Sequence, residues 1–200
     1  CTFHSCVQHN NFAQTKALLI TPREGEVNLM NYRLTPLTMK LPFKIFPHIE
    51  LIDPRKIEVM VKLRSEFPQQ VNASQMLIHI PMPHTATHVS VDSRVHMHPP
   101  NSKAFDHTAE YDQQENVIKW RMRKIPGTTE LILICRISLS EPHTPYIRKE
   151  IGPISAMFEI PMHSTSSIEV KSLRPVNSGV TPPKRWVRYI TRSTSYICRM

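Results

Sequence analysis

Residues Lys56-Ile57-Glu58-Val59-Met60-Val61-Lys62-Leu63-Arg64 alternate apolar and polar side chains with a period of two. Successive Cβ atoms of an extended chain point to opposite sides of the pleat, so this period marks a strand with one face buried. Ile57, Val59, Val61 and Leu63 form the apolar side. The same signal recurs at residues 76–80, 117–122, 131–139, 155–160, 168–173 and 186–190, mostly bounded by Pro, Gly, Asn or Ser. The 18 Pro against 4 Gly point the same way. Pro interrupts helix interiors, and so few Gly disfavour the glycine-rich loops of P-loop and dinucleotide enzymes. The expectation is an all-β fold built as an antiparallel sandwich.

The 200 residues suffice for one large domain or two small ones, and 40% hydrophobic with 20% charged residues describes a chain that folds. No run approaches the roughly 20 apolar residues of a membrane-spanning helix. The first residues, Cys1-Thr2-Phe3-His4-Ser5-Cys6, lack the basic-then-apolar pattern of a secretory signal. Cysteines at 1, 6, 135 and 198 are too sparse for a disulfide scaffold and wrongly spaced for a zinc site, which predicts a reducing, cytosolic setting. A formal charge of +9 favours an anionic partner such as acidic lipid or nucleic acid. Residues 81–107, rich in Pro, His, Ser and Thr, are expected to contain an exposed, mobile loop with only short alternations at 89–91 and 95–97. Further polar connections are expected at 140–145 and 176–184.

Chemical motifs are few. His84, His88, His96, His98 and His107 crowd one region, but no Cys lies near and only Asp92 and Asp106 are local carboxylates, so the reading is a His-rich polar loop and no metal site. No nucleophile elbow occurs, and no enzyme is expected. Asn72-Ala73-Ser74 matches a glycosylation sequon by chance. Lys119, Arg121 and Arg123 alternate along one strand and would project from one face, followed by Lys124. They read either as an anion-binding stripe or as a solvated strand face. Trp120 points the other way and reads as core. Nucleic-acid modules interleave such cations with stacking aromatics or carry a recognition helix, so no nucleic acid is expected.

Six blocks in order resemble the mu homology domain, the C-terminal cargo-binding domain of the medium subunits of clathrin-type adaptor complexes. They are Cys1-Thr2-Phe3-His4-Ser5-Cys6-Val7; Gly25-Glu26-Val27-Asn28-Leu29-Met30-Asn31-Tyr32-Arg33 with Leu41-Pro42-Phe43-Lys44; Glu115-Asn116-Val117-Ile118-Lys119-Trp120; Gly152-Pro153-Ile154-Ser155; Phe158-Glu159-Ile160-Pro161; and Trp186-Val187-Arg188-Tyr189-Ile190-Thr191. The resemblance implies an elongated immunoglobulin-like β-sandwich of two subdomains, the second inserted into the first. Residues 1–38 plus 163–200 would form the signal-binding subdomain and 39–162 the insert. It implies no cofactor, and partners that comprise the large and small subunits of an adaptor complex and cargo tails carrying Tyr-x-x-Φ sorting signals, where Φ is bulky and apolar. The setting implied is the cytosolic face of coated pits, Golgi or endosomal membranes, in vesicle transport or endocytosis.

Residue by residue, the resemblance places Trp186 and Arg188 around the signal's tyrosine ring, a task that suits a guanidinium and an aromatic face. Val187, pointing the other way along the same strand, joins Val170 and Leu173 in the Φ pocket. Read without the resemblance, Val170, Leu173 and Val187 are plain sandwich core. The chain begins at the Cys-Thr-Phe-His block, so the family's preceding strands, with the Phe, Asp and Lys that complete the tyrosine pocket, are expected to be missing. Some family members hold phosphoinositides on a lysine patch of the insert; here Glu110 and Asp112 occupy two of its positions and Arg121 a third, leaving Lys119, Arg121 and Arg123 as the lipid-binding candidates. The competing expectation is a structural or membrane-surface subunit that has lost peptide recognition and binds only anionic lipid or partner subunits.

Overall fold

The computed structural model describes residues 1–35, 39–98, 106–176 and 184–199, and for residues 93–98 the backbone alone. The chain divides into two compact units, Cys1–Met39 and Lys40–Met200. In the first, two short antiparallel pairs form, β1 (Thr2–Phe3) with β4 (Met30–Asn31) and β2 (Val7–Gln8) with β3 (Leu19–Ile20), around one helical turn, α1 (Phe12–Thr15). Phe3 stacks on His9 with ring centroids 4.5 Å apart and meets Phe12 edge-on at 5.1 Å. Cys6 is buried, its Sγ 3.0 Å from Nδ1 of His4.

The second unit is a two-sheet sandwich. Its strands are β5 (Phe43–Asp53), β6 (Lys56–Ser65), β7 (Asn72–Pro81), β8 (Ala86–His98), β9 (His107–Asp112), β10 (Val117–Pro126), β11 (Glu130–Leu139), β12 (Ile154–Pro161) and β13 (Ile190–Cys198), with one turn of helix, α2 (Ile147–Glu150), before β12. The sheets run β13-β12-β7-β10-β9 and β5-β6-β11-β8, and every pairing is antiparallel. The alternation read from the sequence becomes the core directly. Ile57, Val59, Val61 and Leu63 of β6 face Ile78, Ile80, Trp120, Met122, Ala156 and Phe158 of the opposite sheet in one apolar cluster. Pro47 sits inside β5, where the missing N–H is tolerated because β5 is an edge strand.

Two polar ties close the sandwich. Ser65 Oγ, buried, donates to the Pro126 carbonyl at 2.8 Å and accepts from the Thr129 N–H at 2.8 Å. Directly across the β5–β6 pair from Ser65, Phe43 carries the second tie: the Tyr196 hydroxyl of β13 donates to the Phe43 carbonyl of β5 at 2.7 Å, joining the edges of the two sheets. The rings of Phe67, Phe43, Phe158 and Tyr196 pack in that order beside it at centroid distances of 5.0 to 5.7 Å. Such edge-to-face contacts add to the area the rings remove from water.

Three expectations change. Residues 86–98, expected to hold only short alternations in a stretch containing a mobile loop, form the long strand β8 paired with β11; residues 99–105 of that stretch lie outside the described residues. Thr87, His88 and Ser90 face outward from an edge strand and gave the segment its polar look, while Val89 and Val91 pack against the core. Residues 168–173, expected as a strand, form none. Of the strand expected at 186–190, only Ile190 belongs to β13. The β12–β13 ladder stops at Pro161↔Ile190, and Met162 then adopts φ 57°, which turns the chain away and leaves the residues before Ile190 without a ladder partner. Of the polar connection expected at 176–184, residues 177–183 lie outside the described residues.

Gly127 generates a stability prediction. A methyl group on it would collide with the carbonyl oxygens of Phe67 and Pro68, backbone atoms that cannot swing aside. Gly127→Ala should therefore cost about 1–3 kcal/mol, read as a lowered midpoint in urea with unchanged slope. An unchanged midpoint would contradict the packing described around this turn.

Candidate functional site

Of the residues expected to bind peptide, Trp186, Val187 and Arg188 lie on the approach to β13, and Val170 and Leu173 lie on the segment that follows β12. Trp186 is 78% exposed, and Val170, Leu173 and Val187 are 48%, 44% and 42% exposed. None of them belongs to the core. The plain-core reading of the three aliphatics is therefore set aside, and four apolar side chains are exposed to solvent. The backbone of residues 184–188 makes no hydrogen bond within the described residues. It is a free edge, contiguous with the outer strand of the five-stranded sheet.

Tyr189 ties the two halves of this surface. Its hydroxyl accepts a hydrogen bond from the Val170 N–H at 2.9 Å, and its carbonyl accepts one from the Met162 N–H at 2.8 Å. The segment carrying Val170 and Leu173 is thereby held against the segment carrying Trp186, Val187 and Arg188. Sequence reasoning missed Tyr189; the only signal for it was an aromatic closing the Trp-Val-Arg-Tyr block. Nearby, Thr191 Oγ1 donates to the His163 carbonyl at 2.8 Å and accepts from the Thr165 N–H at 3.2 Å, which pins the chain as it leaves β12. Lys171 pairs with Glu169 at 2.7 Å, and this contact lowers the Glu169 carboxyl and raises the Lys171 ammonium from their ordinary values.

The stripe on β10 has a different character. Lys119, Arg121 and Arg123 do project from one face, and Trp120 is fully buried on the other. Each cation is answered by acid. Lys119 Nζ lies 2.8 Å from both Asp112 and Glu115, Arg121 pairs with Glu110, and Arg123 lies 3.4 Å from Asp106. The hydrogen bond from Lys119 holds the Asp112 carboxyl below its usual range, and the hydrogen bonds to Asp112 and Glu115 raise Lys119. The sequence showed alternating cations; the structure shows a mixed-charge ladder that fastens the edge strand β9 to β10.

An open groove of about 490 Å³ on the outer face of the five-stranded sheet runs over Leu77 and Met157 between Arg121, Arg123 and Arg192. Of the expected site residues it includes only Arg121 and Arg123, and Arg192 is held by Glu159 at 2.7 Å. His84 is exposed and sits 3.7 Å from Glu150. No group of three or more metal-ligating side chains assembles among the described residues, a set that excludes the side chains of His96 and His98.

The adaptor complexes medium subunit family matches residues 1–200. The chain belongs to that family. It is 32% identical to the AP-4 complex subunit mu of Arabidopsis thaliana over 201 residues, covering 100% of this chain and 43% of that protein. To the AP-2 complex subunit mu of Schizosaccharomyces pombe it is 33% identical over 196 residues, covering 96% and 41%. To the human AP-1 complex subunit mu-2 it is 30% identical, covering 98% and 44%. The chain thus spans about two fifths of the length of these curated relatives. Among solved structures, a homology model of the full-length AP-3 complex in an intermediate open conformation aligns with all of this chain and 54% of its own at TM-score 0.65 and 14% identity, which establishes a shared fold. The all-β sandwich is the family's, and the family is one of trafficking adaptors, not enzymes. No described helix is long and apolar enough to cross a membrane.

The tie through Tyr189 can be tested directly. Tyr189→Phe removes one hydrogen bond worth about 1 kcal/mol and leaves the ring in place. The Val170 amide should then exchange with solvent about fivefold faster, with the β7 and β10 amides unchanged. Unaltered exchange at Val170 would show that other contacts hold the segment.

Proposed function

We propose that this chain is the signal-recognition part of an adaptor-complex medium subunit and binds Tyr-x-x-Φ peptides by adding them as a strand along residues 184–188. The observation that carries the reading is a free backbone edge beside an exposed Trp and three exposed aliphatics, at the positions where the family resemblance puts the signal pocket. Unpaired N–H and C=O groups supply affinity to an extended peptide, and side-chain pockets supply selectivity. Trp186 and Arg188 flank the signal's tyrosine ring, and Val170, Leu173 and Val187 receive Φ. In this reading residues 1–38 with 163–200 form the signal-binding subdomain and 39–162 the insert. The protein works beside large and small subunits on the cytosolic face of coated pits, Golgi or endosomal membranes. Phosphoinositide binding through Lys119, Arg121 and Arg123 draws little support from the geometry, because those charges are spent on β9 and its turn.

Calorimetric titration of a Tyr-x-x-Φ peptide, beside its Tyr→Ala control, tests the assignment. Truncating an exposed aromatic or Arg anchor at a peptide interface costs about 2 kcal/mol, so Trp186→Ala and Arg188→Ala should each weaken binding roughly thirtyfold. Trp186 packs in no core, and its removal should leave the unfolding midpoint in place. Wild-type affinity in both variants would contradict the site. Binding of anionic vesicles without peptide selectivity would favour a structural, membrane-surface subunit.

A further inference from the structure

We propose that this surface selects acidic signals, extended peptides with carboxylates beside the signal tyrosine; the inference rests on the peptide-binding reading above. After Glu169 the chain contains no Asp or Glu, yet it carries Lys171, Arg174, Lys184, Arg185, Arg188, Arg192 and Arg199. Lys171 and Arg192 are paired with Glu169 and Glu159. Arg174, Lys184, Arg185 and Arg188 are exposed, and none makes an ion pair or side-chain hydrogen bond among the described residues. Three of these four fall within the five residues that hold Trp186 and Val187.

The contrast with β10 gives this its weight. There each of Lys119, Arg121 and Arg123 meets a carboxylate of its own chain. At residues 184–188 no carboxylate pairs with a cation among the described residues, and the unspent charge lies along a backbone edge that has no hydrogen-bond partner among them. A peptide strand laid on that edge advances about 3.3 Å per residue, so the long stems of Lys184 and Arg185 reach side chains one or two positions from the signal tyrosine. Charge-assisted hydrogen bonds from a guanidinium to a carboxylate are the strong ones, and opposite charges across a strand pair add stability. Interleaving of the cations with Trp186 and Val187 fits a peptide better than a flat lipid surface.

The test uses two matched Tyr-x-x-Leu peptides, with Glu or with Gln at both x positions, titrated into the protein and into its Lys184→Gln, Arg185→Gln double variant. The Glu peptide should bind about three- to tenfold tighter. The preference should shrink as salt rises from about 0.05 M to about 0.5 M, and it should vanish in the double variant. Equal binding of the two peptides, with a Tyr→Ala control silent, would overturn the acidic preference and leave the signal reading intact. Binding of neither would overturn both. Vesicles containing phosphatidylserine supply the remaining arm: loss of vesicle binding in the double variant, with no preference between the peptides, would assign the cations to the membrane and overturn the proposal.

Discussion

The attachment of β13 is the constraint on which the rest depends. Among the described residues this strand is bonded on one side only, to β12, and its far end is held by the Tyr196 hydroxyl on the Phe43 carbonyl of the other sheet. The aromatic cluster of Phe67, Phe43, Phe158 and Tyr196 packs that part-buried hydrogen bond against the core. Burial and the neighbouring Cys198 raise the Tyr196 hydroxyl above its ordinary value, so it stays protonated and remains a donor. With the strand's C-terminal half anchored in this way, the residues leading into it can stay unpaired and still keep a defined place.

That division of labour explains which parts of the chain were legible in the sequence. Strands buried on one face announce themselves by alternation, and Lys56 to Arg64 was read correctly because Ile57, Val59, Val61 and Leu63 all meet the opposite sheet. β8 escaped because its outward positions carry Thr, His and Ser, which resemble loop chemistry until a partner strand is known. The alternation at 186–190 misled for the opposite reason. Its apolar members are there to be exposed, and alternation without a ladder partner does not make a strand. Periodicity alone assigned Val170, Leu173 and Val187 to a core; only the ordered blocks of the family pattern pointed to a surface.

Charge followed a similar course. The sequence supplied a positive net charge and a visible stripe of cations, and together they suggested an anion-binding surface on β10. Which cations are spent inside the molecule depends on register, since Asp112 and Glu110 stand opposite Val117 and Lys119 across the β9–β10 pair. That pairing neutralises Lys119, Arg121 and Arg123, whereas Lys184, Arg185 and Arg188 around Trp186 make no ion pair among the described residues. Tyr189, which locks the two segments of that stretch together, could not have been singled out without coordinates.

The central claim is that an extended peptide docks on the free edge at residues 184–188. Backbone amide NMR of the protein, titrated with a Tyr-x-x-Φ peptide, tests it most directly. The account predicts shifts concentrated at residues 168–173 and 184–190, with amides at 184–188 becoming protected from exchange and those of β9 and β10 unmoved. Shifts centred on β9 and β10, or protection absent at 184–188, would contradict it.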